Sequence, residues 1–218
     1  MKEELFMSSN VFTNYKQWLN DQTMPKGRRA VILSSLDLFS RQGYDGTSTA
    51  QIAQHADVSQ ATIFKYFKTK QDLLMEIIKP MINNLAPVFR DDFFSKLNEH
   101  NGLQEIVHFV VFDRYKFLKE NAAAFQILLS EIMTNETVRA MFFDLVRQSQ
   151  SVIFNSALNK MVEDKLVRPG LTLVDLARTI IGQLITYFLQ RNFITAIPTD
   201  ETADLKRIED LIIHAIRP

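Results

Sequence analysis

Cysteine is absent from the 218 residues, which excludes a disulfide framework, a thiolate metal site and a cysteine nucleophile. Glycine and proline are scarce, at six each, so the chain is neither collagen-like nor of low complexity, and a turn-rich all-β fold is disfavoured. No uncharged apolar stretch reaches the ~18–20 residues that a membrane-spanning helix needs; the longest runs from Thr179 to Gln190. The amino terminus carries Glu3 and Glu4 with no apolar run behind them, so no export signal or membrane contact is expected and the cytoplasm is the expected location. Net charge is missing too, with 25 basic and 25 acidic residues. Enzyme signatures are also wanting. There is no Gly-x-Gly-x-x-Gly, no phosphate-cradling glycine loop and no Gly-x-Ser-x-Gly elbow. The four histidines (His55, His100, His108, His214) lie in different segments. Glu105 and His108 have the spacing used in di-iron bundles, but those need two such motifs and two further glutamates. No catalytic residue, metal or cofactor is expected.

What the chain does have is an ordinary globular mix, 46% hydrophobic and 23% charged, enough for one large domain or two small ones. Its charge is unevenly placed. Residues 25–70 hold seven basic side chains and three acidic ones, whereas 1–24 and 71–218 are slightly acidic. A positive excess confined to one short segment is the footprint of a phosphate-binding module.

Nearly every segment has helical periodicity, and the fold expected is all-α. Residues 1–24 form an extension in which Val11, Phe12, Tyr15, Trp18 and Leu19 share one face, as a short docking helix or a partly ordered arm. Pro25 heads a helix over 26–42 with Gly43 just past its end. Thr47, Ser48 or Thr49 can cap a short helix reaching Ala56, and Asp57-Val58 makes a turn. Ser59 caps a second short helix over 60–67, and Thr69 a third over 70–79. Two short helices joined by a tight turn behind a longer support make a helix-turn-helix. The second helix of such a pair enters the DNA major groove by its amino end. Ile63 and Phe67 share a face that can bury against Ile52 and Leu36. That leaves Gln60, Ala61, Thr62, Lys65 and Tyr66 outward, a mixture suited to base and phosphate contacts.

The run from Gly43 through Thr47-Ser48-Thr49-Ala50-Gln51-Ile52-Ala53, Val58-Ser59-Gln60-Ala61-Thr62-Ile63-Phe64-Lys65-Tyr66-Phe67 and Lys70-Gln71-Asp72-Leu73-Leu74 resembles the DNA-binding domain of TetR-type transcriptional regulators. The likeness covers roughly residues 25–75. It implies base contacts from Gln60, Ala61 and Thr62. It implies phosphate contacts from Ser48, Thr49, Lys65, Tyr66 and Lys70, with Arg28 and Arg29 as further anchors. The family pattern has Gly where Ala61 stands and Tyr where Phe64 stands, and Phe64 has no hydroxyl to offer a phosphate. The domains expected are the extension (1–24), the DNA-binding helices (25–79) and a larger helical bundle (80–218).

The bundle holds twelve of the 17 phenylalanines, as a packed core or around an apolar cavity. The resemblance implies a small effector in this domain. The residues expected near it are Phe109, Phe112, Tyr115, Phe125 and Tyr187, with His108 and Gln126 as polar handles. Thr172 and Asp175 stand in capping-box spacing before a long helix, and another helix follows over 200–216. The apolar positions of the long helix are too many for one core, and such an excess is often buried in a partner. The resemblance implies a homodimer through these two helices, and Leu176, Ile180, Leu184, Phe188, Leu205, Ile208, Leu211 and Ile212 are expected at its face. The function expected is that of a dimeric regulator, most simply a repressor released from a palindromic double-stranded DNA operator by a small apolar or amphipathic effector. The alternative is a helical sensor or interaction protein that does not bind DNA.

Overall fold

A computed structural model describes residues 8–194 and 200–218, and among them there is no strand. The helices are α1 (Val11–Asn20), α2 (Lys26–Gln42), α3 (Thr49–His55), α4 (Gln60–Tyr66), α5 (Lys70–Pro80), α6 (Ala86–Leu97), α7 (Leu103–Glu120), α8 (Ala122–Thr134), α9 (Glu136–Gln148), α10 (Gln150–Phe154), α11 (Ala157–Glu163), α12 (Leu173–Phe193) and α13 (Glu201–Ile216). One wide π turn, Met81–Leu85, links α5 to α6. The chain divides into two compact units. One comprises the residues up to Phe89 together with Glu120–Arg147, the other Arg90–Lys119 with Gln148–Pro218.

In the first unit, hydroxyl side chains set the helix starts. Ser48, Ser59 and Thr69 each accept a hydrogen bond from the backbone N–H three residues on, at Gln51, Thr62 and Asp72. Each such bond satisfies one of the donors that a first helical turn leaves open. Gln51 and Asp72 return the bond to the backbone N–H of Ser48 and Thr69. Gly43 ends α2 with φ at 79°, a left-handed conformation that glycine adopts without strain. Three residues on, a side chain at Gly46 would collide with the Gln42 carbonyl. The Gly43–Gly46 turn therefore fixes where α3 begins.

The core of this unit joins Ile32, Leu36 and Phe39 of α2, Ile52 of α3, Ile63 of α4 with Phe67, and Leu73, Leu74 and Ile77 of α5. It also takes in Tyr15 and Leu19 of α1 and Val138 of α9, with Ile127, Leu128 and Ile132 of α8 packed against it. The amino-terminal segment is thus a docked helix. Asn10 caps it by accepting from the Thr13 N–H. Val11 N–H donates to Asn121 Oδ1 at 2.6 Å, Asn121 Nδ2 donates to the Ser9 carbonyl at 2.9 Å, and Asn10 Nδ2 donates to the Glu120 carbonyl at 2.8 Å. The Tyr15 hydroxyl is buried and donates to the Glu76 carbonyl at 3.3 Å. Burial, followed by the nearby Glu76 carboxylate, raises its pKa well above that of a free phenol.

The second unit is built on α12 and α13. Thr172 and Asp175 form the expected capping box, and Asp200 caps α13 through the Ala203 N–H. Leu176, Ile180, Leu184 and Phe188 of α12 and Leu205, Ile208, Ile212 and Ile216 of α13 are buried. No helix among the described residues is long and apolar enough to cross a membrane.

Candidate nucleic-acid interface

Helices α3 and α4 meet through a turn in which Asp57 takes a left-handed φ of 53° and Val58 N–H donates to the Ala53 carbonyl at 3.0 Å. Aspartate tolerates that conformation better than a bulky residue does. The turn aims α4 away from α3, and the burial of Ile63 and Phe67 sets its rotation. Gln60, Ala61, Phe64 and Lys65 are left exposed on the opposite face.

Thr62 and Tyr66 are half-buried and turn toward α2. A Cβ placed on Gly27 would lie 3.6 Å from the Tyr66 hydroxyl and 3.7 Å from Thr62 Cγ2. The Thr62 hydroxyl is also 3.0 Å from that of its own cap, Ser59. Of the three residues expected to read bases, Gln60 and Ala61 are exposed, while Thr62 sits to one side. Phe64, noted in the sequence for its missing hydroxyl but left off the outward set, is exposed as well. It lies one turn on from Gln60 and Ala61 and about 100° around the helix from Ile63, so helical spacing alone takes it out of the buried stripe.

The cations divide into two groups. Arg28 pairs with Glu76 at 2.7 Å and its guanidinium lies 5.6 Å from the Phe67 ring centre. Arg29 donates to the Gln22 carbonyl. Lys70 Nζ donates to the carbonyls of Tyr44 at 2.9 Å and Thr47 at 3.0 Å, and lies 4.0 Å from the Tyr44 ring centre. These three, expected at phosphates, are half-buried and make contacts within the protein. Lys65, expected at a phosphate, stays exposed, as do Lys26 and Lys68. Ser48 is exposed and Thr49 half-buried at the start of α3.

The residues expected around an effector are divided between the two units. Tyr115 and Tyr187 are buried with ring centres 5.0 Å apart, and the Tyr187 hydroxyl donates to Asp204 at 3.1 Å. Burial, and then that hydrogen bond, push the Tyr187 phenol up to about 12. His108 is exposed, with Nδ1 3.0 Å from Glu209 and its ring 4.4 Å from that of Phe112. Phe109 stacks on Phe93 and His100. Phe125 and Gln126 belong to the first unit. That unit contains a cleft of about 530 Å³ lined by Tyr44, Asp45, Gln71, Ser130, Glu131, Thr134, Asn135 and Glu136. None of the expected residues lines it. Its wall is a hydrogen-bonded chain: Tyr44 O–H donates to Gln71, and Gln71 and Asn135 both donate to one oxygen of the buried Glu131.

All the residues expected at a dimer face except Leu211 are buried within a single chain. The large apolar side chains that α12 and α13 leave in solvent are Val174 (55% exposed), Ile181 (52%) and Leu211 (59%). Glu105, three residues before His108, accepts from the Asn101 N–H at 3.2 Å. Among the described residues no three His, Asp or Glu side chains gather as metal ligands would.

A capped support helix, a tight turn and a short helix with an exposed polar face define a helix-turn-helix protein. Residues 32–77 match the family model for bacterial regulatory proteins of the tetR family. The chain is 36% identical over 69 residues to the HTH-type transcriptional regulator RutR of Escherichia coli K12, covering 30% of this chain and 32% of RutR. The match thus spans about a third of the length of that relative. It is 30% identical over 141 residues to BetI of Agrobacterium fabrum, covering 63% of this chain and 66% of BetI. The fold is similar to that of FadR from Bacillus subtilis in complex with stearoyl-CoA. The TM-score is 0.58 at 17% identity, over 84% of this chain and 96% of FadR. Through residues 32–77 the chain is similar to bacterial regulators of the tetR family.

Proposed function

We propose that this protein regulates transcription in the cytoplasm by binding a palindromic DNA operator as a homodimer, and that it is a repressor released by a small apolar or amphipathic effector. The observation that carries the reading is the outward face of α4, where Gln60, Ala61 and Lys65 are exposed with Phe64 while Ile63 anchors the opposite side. Gln60 can pair with a base edge, and Lys65, Lys68 and Lys26 are free to meet phosphates beside it. The solvent-facing Val174, Ile181 and Leu211 on α12 and α13 supply apolar area for a second copy. A dimer would set two α4 helices about 34–36 Å apart, one turn of DNA. The stearoyl-CoA held by FadR makes an acyl thioester the first effector class to try. Such a molecule releases DNA only if it binds the DNA-incompetent arrangement more tightly.

The test is binding of the full chain to duplexes selected from a random pool, measured across salt concentrations. Affinity should fall steeply as salt rises, because lysine–phosphate contacts release counterions. Gln60→Ala should remove about 1–3 kcal/mol of discrimination at one base pair, while Lys65→Ala should weaken every sequence alike and lower the salt slope by about one. A chain that selects no duplex at low salt overturns the reading.

A further inference from the structure

Phe64 is half exposed, at 50%, on a seven-residue helix whose only fully buried member is Ile63. It lies at helical spacing from Gln60 and Ala61, and all three are exposed with Lys65 on one face. A phenyl ring has no donor or acceptor, so it can neither hold a phosphate oxygen nor pair with a polar base edge. The one apolar feature that the major groove offers is the C5 methyl of thymine. Ala61, one turn back, adds little bulk between the helix and a base. We infer that Phe64 is a specificity-determining residue that reads a thymine methyl in each half of the operator, the ring covering the methyl while Gln60 reads a neighbouring edge. The inference rests on the DNA-binding reading above and names the chemistry that this helix selects.

Replacing thymine by deoxyuridine removes that methyl and changes nothing else. In the duplex selected by the full chain, each thymine is replaced in turn and affinity is measured at fixed salt. At one thymine per half-site the replacement should weaken binding about fourfold, the worth of one methyl taken out of water. Phe64→Ala should abolish the difference between thymine and deoxyuridine at that position, and Phe64→Leu should retain part of it. Because the side chain is half exposed, the thermal midpoint of Phe64→Ala should match that of the wild type. A selected duplex with no methyl-sensitive thymine, or a sensitivity that persists in Phe64→Ala, overturns the assignment while leaving DNA binding standing. Failure to select any duplex overturns both.

Discussion

Helix α4 has seven residues and one fully buried side chain, Ile63, whereas α12 has twenty-one residues with apolar positions around much of its circumference. On α4 the burial of Ile63, continued by Phe67 just past its end, decides which face is outward, because no other position of the helix is buried. On α12 two apolar stripes compete. Leu176, Ile180, Leu184 and Phe188 are buried, and Val174 and Ile181 are not. Both stripes obey helical spacing, so the pattern cannot say which faces inward. A sparse helix declares its outward face and a rich one conceals it.

Four measurements sharpen or break that contrast. Phe188→Ala should have the largest effect, lowering the unfolding free energy in urea by about 3–5 kcal/mol, the cost of emptying a buried aromatic site. If the loss is below 1 kcal/mol, this stripe is not core. Next, Lys70→Met should cost about 1–3 kcal/mol, since the carbonyls of Tyr44 and Thr47 would lose their shared donor, while Lys65→Met should leave stability unchanged. Equal effects would erase the division between structural and free cations. A smaller effect is expected at alkaline pH. The Tyr187 phenol, held by burial and by Asp204, keeps its proton up to about 12 in the folded chain, whereas an unfolded tyrosine releases it near about 10. The contribution is therefore fully present below pH 10 and should fade between about pH 10 and 12. Denaturant midpoints of Tyr187→Phe should show a shallower decline across that window. The smallest effect on stability belongs to Leu211→Ser, within about 0.5 kcal/mol as at other exposed positions. Its consequence should appear in oligomeric state, with sedimentation showing a weaker dimer.

Local grammar made much of this fold legible. Ser48, Ser59, Thr69 and Thr172 all cap the helices they precede, because a hydroxyl at that position can reach a free N–H from any surrounding. Gly43 stops α2 for an equally local reason. Long side chains were not legible. Arg28 finds Glu76 across 48 positions of sequence, and no neighbouring residue announces that pairing. The π turn at Met81–Leu85 was equally hidden. Pro80 lacks the N–H that the helix requires, and the chain accommodates it by widening rather than stopping. The aromatic residues of α7 and α8 are ambiguous as site markers because phenylalanine fills a core and lines a cavity with the same periodicity.

The docked amino-terminal helix and Val138 share the hydrophobic interior of the helix-turn-helix segment. That sharing bears on any attempt to borrow the segment. A chimaera built by transplanting residues 25–79 alone would carry a raw flank where Tyr15, Leu19 and Val138 had been, and would tend to clump. The transferable piece is discontinuous, so on the proposed reading a swap of binding specificity is better made by exchanging the few outward side chains of α4 than by cutting and joining the backbone.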